Sequence, residues 1–209
     1  SGDAVPSPQL YPQPEHEAWA EEALRALGPP GRPWIGFHPG SGTTKNLILK
    51  RWPLVRWAEL ARRLAVRYPQ ARILLFGSAD ERPLREELAR RSGLDAQRIA
   101  TAPDGQVLNT AALIRRMGVF VCGDTLLTHV AAAMGVPTVE IVGPTDPRAT
   151  GPYRVPSRIV RLGLACSPCY FFSKHGIRCT HERPLACLEE LEEQLVEASV
   201  AELLRDSGL

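Results

Sequence analysis

Val119-Phe120-Val121-Cys122-Gly123-Asp124-Thr125, followed by Leu126 to Met134 and then Thr138-Val139-Glu140-Ile141-Val142, reads as strand, polar turn, helix and strand. The first run is continuously apolar instead of alternating, as a strand covered on both faces requires. The stretch between the two runs is long enough to cross over a sheet and bring the second strand in parallel to the first. The same unit recurs toward the N-terminus. Trp34 to His38, Arg72 to Phe76 and, more weakly, Arg98 to Thr101 form further apolar runs, separated by amphipathic stretches at Leu54 to Tyr68, Glu81 to Arg91 and Val107 to Met117. The pattern predicts an α/β fold, a Rossmann-like doubly wound parallel sheet. Ahead of it, Trp19, Ala23, Leu24 and Leu27 recur at helical spacing within Glu15 to Leu27, and Gly28-Pro29-Pro30-Gly31 stops that helix. Beyond it, Pro144 to Pro184 breaks the alternation with prolines, glycines and four cysteines, and Leu185 to Leu204 returns as one long amphipathic helix.

Composition narrows the function classes. A chain of 209 residues with 44% hydrophobic side chains buries one continuous core. Residues 1–14, rich in proline, read as a linker, and residues 15–209 as one domain. A formal charge of +2 leaves no general nucleic-acid footprint, so any anion site is local. No stretch has the roughly 18 apolar residues of a membrane span, and no basic segment with an apolar core opens the chain. The reading is a cytoplasmic protein, with peripheral association at the inner membrane as an open expectation.

In an open α/β sheet, ligands bind beyond the carboxyl ends of the strands, and four such ends carry unusual residues. The first is His38-Pro39-Gly40-Ser41-Gly42-Thr43-Thr44-Lys45, leading to Lys50-Arg51-Trp52-Pro53 with Pro53 suited to a first helical turn. With only 3 lysines against 22 arginines, two lysines so close to a glycine-rich turn stand out as compact charges for phosphate. The second end is Gly77-Ser78-Ala79-Asp80-Glu81, which places a carboxylate within reach of ribose hydroxyls. The third is Gly123-Asp124-Thr125, with Thr128 and His129 one turn into a helix whose free N–H groups suit a pyrophosphate. The fourth is Gly143-Pro144-Thr145-Asp146-Pro147. Each has a plainer reading alone: Asp124 as a helix cap, Glu81 as a dipole partner, His129 as a partly buried helical histidine, Gly40 to Lys45 as a surface turn. Their shared placement on one sheet edge favours a site. The spacing fits neither G-x-x-x-x-G-K-[ST] nor G-x-G-x-x-G, which disfavours a P-loop nucleotidase or a dehydrogenase.

Taken in order, His38-Pro39-Gly40 with Lys50-Arg51-Trp52-Pro53, Gly77 to Glu81, Asp124-Thr125 with His129-Val130-Ala131-Ala132-Ala133-Met134-Gly135-Val136-Pro137-Thr138, and Gly143-Pro144-Thr145-Asp146-Pro147 resemble glycosyltransferase family 9. That family includes ADP-heptose:lipopolysaccharide heptosyltransferases, and the resemblance runs from about Glu15 to Leu204. It implies the C-terminal, donor-binding half of a two-domain GT-B glycosyltransferase, the N-terminal acceptor domain with its general base lying outside this chain, so that the fragment alone is inactive. By resemblance, Ser41, Gly42, Thr43 and Lys50 contact the diphosphate and sugar, Glu81 the ribose, and Asp124, Thr125 and His129 the sugar-diphosphate junction. Lys50, Asp124 and His129 are the catalytic candidates. The implied chemistry is inverting transfer of heptose or a related sugar from an ADP-sugar to a lipopolysaccharide core or similar glycan, with no cofactor required. Leu126 stands where the family has glycine after D-[ST], which leaves the sugar open.

Cys166, Cys169, Cys179 and Cys187 form C-x2-C-x9-C-x7-C. The first pair has metal-ligand spacing and the second does not, so reduced thiols are preferred over a structural zinc. Cys122 reads as core packing. Two other functions stay open: a stand-alone nucleotide-binding module, and a GT-B-fold UDP-sugar epimerase.

Overall fold

A computed structural model describes residues 6–28, 33–170 and 176–209 of the chain. In the described residues, six parallel strands form one sheet in the order β3-β2-β1-β4-β5-β6. They are β1 Trp34–His38, β2 Arg72–Leu75, β3 Ile99–Thr101, β4 Val119–Gly123, β5 Thr138–Ile141 and β6 Ser157–Val160. The main helices are α1 Pro14–Ala26, α2 Leu54–Arg67, α3 Arg82–Ser92, α4 Val107–Ile114 and α5 Leu126–Ala133, then the short α6 Pro147–Thr150 and α7 Ala186–Glu189, and finally α8 Glu193–Asp206. The doubly wound fold expected from the apolar runs is the fold observed.

Side-chain alternation along the strands divides the core in two. Ile35, Phe37, Val119, Val121, Val139 and Ile141 meet Trp57, Leu60 and Leu64 of α2 and Val200, Leu203 and Leu204 of α8 on one face. Phe120 and Cys122 point the other way, with Phe76 and Trp34, into a layer closed by Ala20 of α1, Ala111 of α4 and Ala131 of α5. Trp57, 1% exposed, meets Phe37 at a tilt with ring centroids 5.0 Å apart and Trp52 edge-on at 5.4 Å. Each large side chain buried in this way contributes roughly 1.5–3 kcal/mol.

Three expectations are corrected. The stretch from Leu185 to Leu204 is two helices, α7 and α8, because buried Leu191 turns its carbonyl out of the helix to accept the Trp52 indole N–H at 3.0 Å. Within Pro144 to Pro184 lies β6, paired with β5 from Thr138↔Ser157 to Ile141↔Val160. Pro53 is the residue before α2 and not its first turn; its φ of −55° sets the entry to the helix. The Pro29-Pro30-Gly31 run lies outside the described residues.

Candidate functional site

The strand order reverses direction between β1 and β4: the chain leaves β1 toward β2 on one side and returns to β4 on the other. The loops after these two strands splay apart at such a point and leave a crevice. The loop after β1 delivers Lys50 to it. Thr44–Lys50 is a tight helical stretch in which Lys45 and Asn46 both take left-handed backbone, φ 53° and 57°. The loop is held from within and from outside. Ser41 Oγ donates to Leu47 O at 3.0 Å and accepts from Arg51 Nε at 3.0 Å, while Ile177 N–H donates to Lys45 O and Asn46 Nδ2 to Ile177 O.

Lys50 Nζ donates to Asp124 Oδ2 at 2.9 Å and to Asp124 O at 2.7 Å, both side chains being only 11–12% exposed. Asp124 follows β4, and Thr125 caps α5, whose first turn is further fixed by Thr128 Oγ1 accepting from Thr125 N–H and donating to Gly123 O. A constrained ammonium thus meets a helix N-terminus at the crevice, the two features that suit an anion.

A second network joins this pair to the end of β2. His38 Nε2 lies 3.2 Å from Glu81 Oε2 and its Nδ1 3.0 Å from Thr125 Oγ1. Burial pushes the Glu81 carboxyl up, but the hydrogen bond and charge of His38, the Ser78 N–H and the Arg51 guanidinium outweigh it and hold Glu81 down at about 2. Ionised, Glu81 can only accept, so the His38 Nε2–H donates to it. Two glycines make room: a Cβ at Gly40 would sit 1.9 Å from Glu81 Oε1, and one at Gly77 would sit 2.9 Å from Oε2. Gly40, part of the glycine-rich turn after β1, is therefore required by Glu81. Beneath this turn, buried Arg85 donates to Ala102 O, Asp104 Oδ1 and Ser78 O, clamping the ends of β2 and β3 together.

Of the residues singled out from the sequence, five are tied into one rim and three lie exposed. Lys50, Glu81, Asp124 and Thr125 are joined directly or through His38; Ser41 is buried and braces the loop. Gly42 and Thr43 are exposed on that loop, and His129 is exposed on α5. Leu126, 64% exposed, opens α5 beside Asp124 and puts an apolar side chain on the rim. His38 and Arg51 received no role from the sequence, although both sit inside the quoted motifs. A cleft of about 630 Å³ opens elsewhere, between α1 and α3 along β3, and Lys50, His38 and Asp124 do not line it.

The four cysteines come together on the wall of one small cavity of about 20 Å³, with His181 and Ile177. Burial, then the neighbouring thiols, raise Cys187 to about 11 and push Cys169 upward. Among the described residues no three His, Cys, Asp or Glu side chains are grouped to hold a metal ion. Cys122 is core packing, as expected, fully buried with its thiol 3.2 Å from Thr128 Oγ1.

The profile of glycosyltransferase family 9 (heptosyltransferase) matches residues 4–175. The chain belongs to glycosyltransferase family 9. Lipopolysaccharide heptosyltransferase 1 of Pseudomonas aeruginosa is 33% identical over 161 residues, covering 76% of this chain and 43% of the relative. Lipopolysaccharide heptosyltransferase 2 of Salmonella typhimurium is 34% identical over 165 residues, covering 76% and 45%. The chain thus spans somewhat under half the length of these family members. The solved structure of Escherichia coli ADP-heptose lipopolysaccharide heptosyltransferase II superposes with a TM-score of 0.74 at 26% identity, over 98% of this chain and 57% of that one. No helix among the described residues is long and apolar enough to cross a membrane.

Proposed function

We propose that this chain is the donor-binding part of a heptosyltransferase, holding the diphosphate of an ADP-sugar at the crevice between β1 and β4. The observation that carries the reading is the Lys50–Asp124 pair seated at the N-terminus of α5. Lys50 Nζ is the cation that meets the diphosphate, with the N–H groups of the first turn of α5 and of the Ser41 to Thr43 loop completing the cradle. Among the described residues Glu81 Oε1 has only the Arg51 guanidinium at 3.6 Å, so it retains capacity to accept from a ribose hydroxyl. Asp124, Thr125 and His129 border the place where sugar and phosphate join.

The chemistry follows from charge. Breaking the bond between the anomeric carbon and the diphosphate leaves negative charge on the departing ADP, and a fixed ammonium with helix N–H groups stabilises it as it develops. The acceptor hydroxyl, on a lipopolysaccharide core or similar glycan, attacks the anomeric carbon directly and inverts it. The base that takes its proton, and the surface that grips the acceptor, belong to a second domain outside this chain.

Isothermal titration calorimetry with ADP and UDP tests the reading. ADP binding preferred over UDP, and weakened about a hundredfold in Lys50→Ala, is the expected result. A preference for UDP transfers the site to a UDP-sugar enzyme, and unchanged affinity in Lys50→Ala removes Lys50 from it.

A further inference from the structure

Glu140 is the residue that the donor rim leaves unexplained. It stands in the middle of β5, level with Cys122 of β4. It is 0% exposed, and neither carboxylate oxygen has a hydrogen-bond partner among the described residues. A buried polar group left unpaired is costly, and an ionised one far more so. An aliphatic residue would fill this strand position without that cost. Val139 and Ile141 point into the layer shared with α2 and α8, so Glu140 points to the opposite face, where α5 covers the sheet. There its Oε2 lies 3.3 Å from the point that a Cβ at Gly151 would occupy, just past α6.

Asp124 follows two residues after Cys122, the register partner of Glu140, and so leaves the sheet on the same face as Glu140. Asp124 repels its ionised form and Lys50 attracts it. On β4, Cys122 has a thiol pushed up by burial and stays neutral. On α5, His129 lies on the exposed face. On α6, Arg148 is paired with Asp146 at 2.7 Å, and on β6 Arg158 is paired with Glu202 and Asp206.

We propose that Glu140 is a positioning residue of the donor site: a buried carboxyl without a hydrogen-bond partner among the described residues, on the face of the sheet from which Asp124 emerges two residues beyond Cys122, it leaves Lys50 answering to one carboxylate and available to a diphosphate for as long as it carries no charge. Ionisation of Glu140 gives Lys50 a second competing carboxylate and turns the trio from neutral to singly negative, which expels an anionic ligand. Burial, then Asp124, push Glu140 up to about 8. The site is accordingly open to diphosphate at neutral pH and closes as the pH rises through that value. The inference deepens the donor reading and rests on it.

The test is ADP calorimetry on the whole chain between about pH 7 and pH 9.5, with wild type beside Glu140→Gln, which keeps the shape and removes the charge. Wild-type affinity is expected to fall roughly tenfold more than that of the variant across this range. Titration of ADP itself is common to both and cancels. Parallel profiles overturn the proposal. ADP binding to neither protein at any pH overturns the donor reading instead. If Glu140→Gln does not fold, wild type alone decides: at about pH 8 ADP binding must take up protons, read from binding enthalpies in two buffers of different ionisation enthalpy. No uptake overturns the proposal.

Discussion

Two glutamates of this domain, one at the end of β2 and one in the middle of β5, are both withdrawn from solvent and end in opposite states. Glu81 is held at about 2 and Glu140 at about 8. Burial pushes both the same way, so burial does not explain the difference. What separates them is company: Glu81 has His38, the Ser78 N–H and Arg51, whereas Glu140 has no hydrogen-bond partner among the described residues and feels the charge of Asp124. In this fold the loops at the strand ends supply partners, and the strand interior does not.

The largest effect that could break this contrast is steric. Gly40→Ala must evict the Glu81 carboxylate and is expected to cost about 3 kcal/mol, the scale of a broken buried ion pair. Chemical denaturation measures it, and the same substitution made in Glu81→Ala should cost far less, because the clash is gone. Equal losses in both backgrounds would show that Gly40 is not the seat of Glu81.

Acid comes next. A carboxyl whose folded value lies below its unfolded one stabilises the protein above the unfolded value of 4.5, and that stability drains as pH falls toward about 2. Wild type should lose on the order of 3 kcal/mol over this window relative to Glu81→Gln, whose curve lacks this component.

Glu140 has the opposite sign. Its raised value means that the folded state binds more protons than the unfolded chain between 4.5 and about 8, so stability falls as pH rises through that window and levels off above it. Glu140→Leu, followed by thermal melts, should be more stable than wild type by on the order of 2 kcal/mol at neutral pH and should lose that slope. The smallest effect is expected at the cysteine cavity: Cys166 is exposed, and Cys166→Ser should shift stability by less than about 0.5 kcal/mol. A large loss there would mean that the thiol does more than line a wall.

The central sheet was legible because burial on both faces writes itself as apolar runs: Trp34–His38 matches residue for residue, and β2, β4 and β5 differ only at their ends. β6 was hidden because an edge strand keeps Arg158 and a partly exposed Ile159, which do not make an apolar run. The break after α7 was hidden because it depends on an indole 139 residues away in sequence. At the site, glycine-rich turns and the scarce lysines pointed to the rim where Lys50, Asp124 and Glu81 meet, but not to how its side chains pair. His38 looked like the tail of a strand, and Gly40 like one more residue of a glycine-rich turn, whereas the Glu81 carboxylate occupies the space a side chain there would need. Glu140 did leave a signal, as the one charged residue in Thr138-Val139-Glu140-Ile141-Val142, and what it touches only the fold could supply.

The bonds from Ile177 to Lys45 and from Trp52 to Leu191 give the tail of the chain a job out of proportion to its modest share of the sheet. It acts as a splint across the β1 loop. A version of the domain cut back behind β6 would retain every strand of the sheet, yet the ammonium of Lys50 would lose the outer half of its mounting.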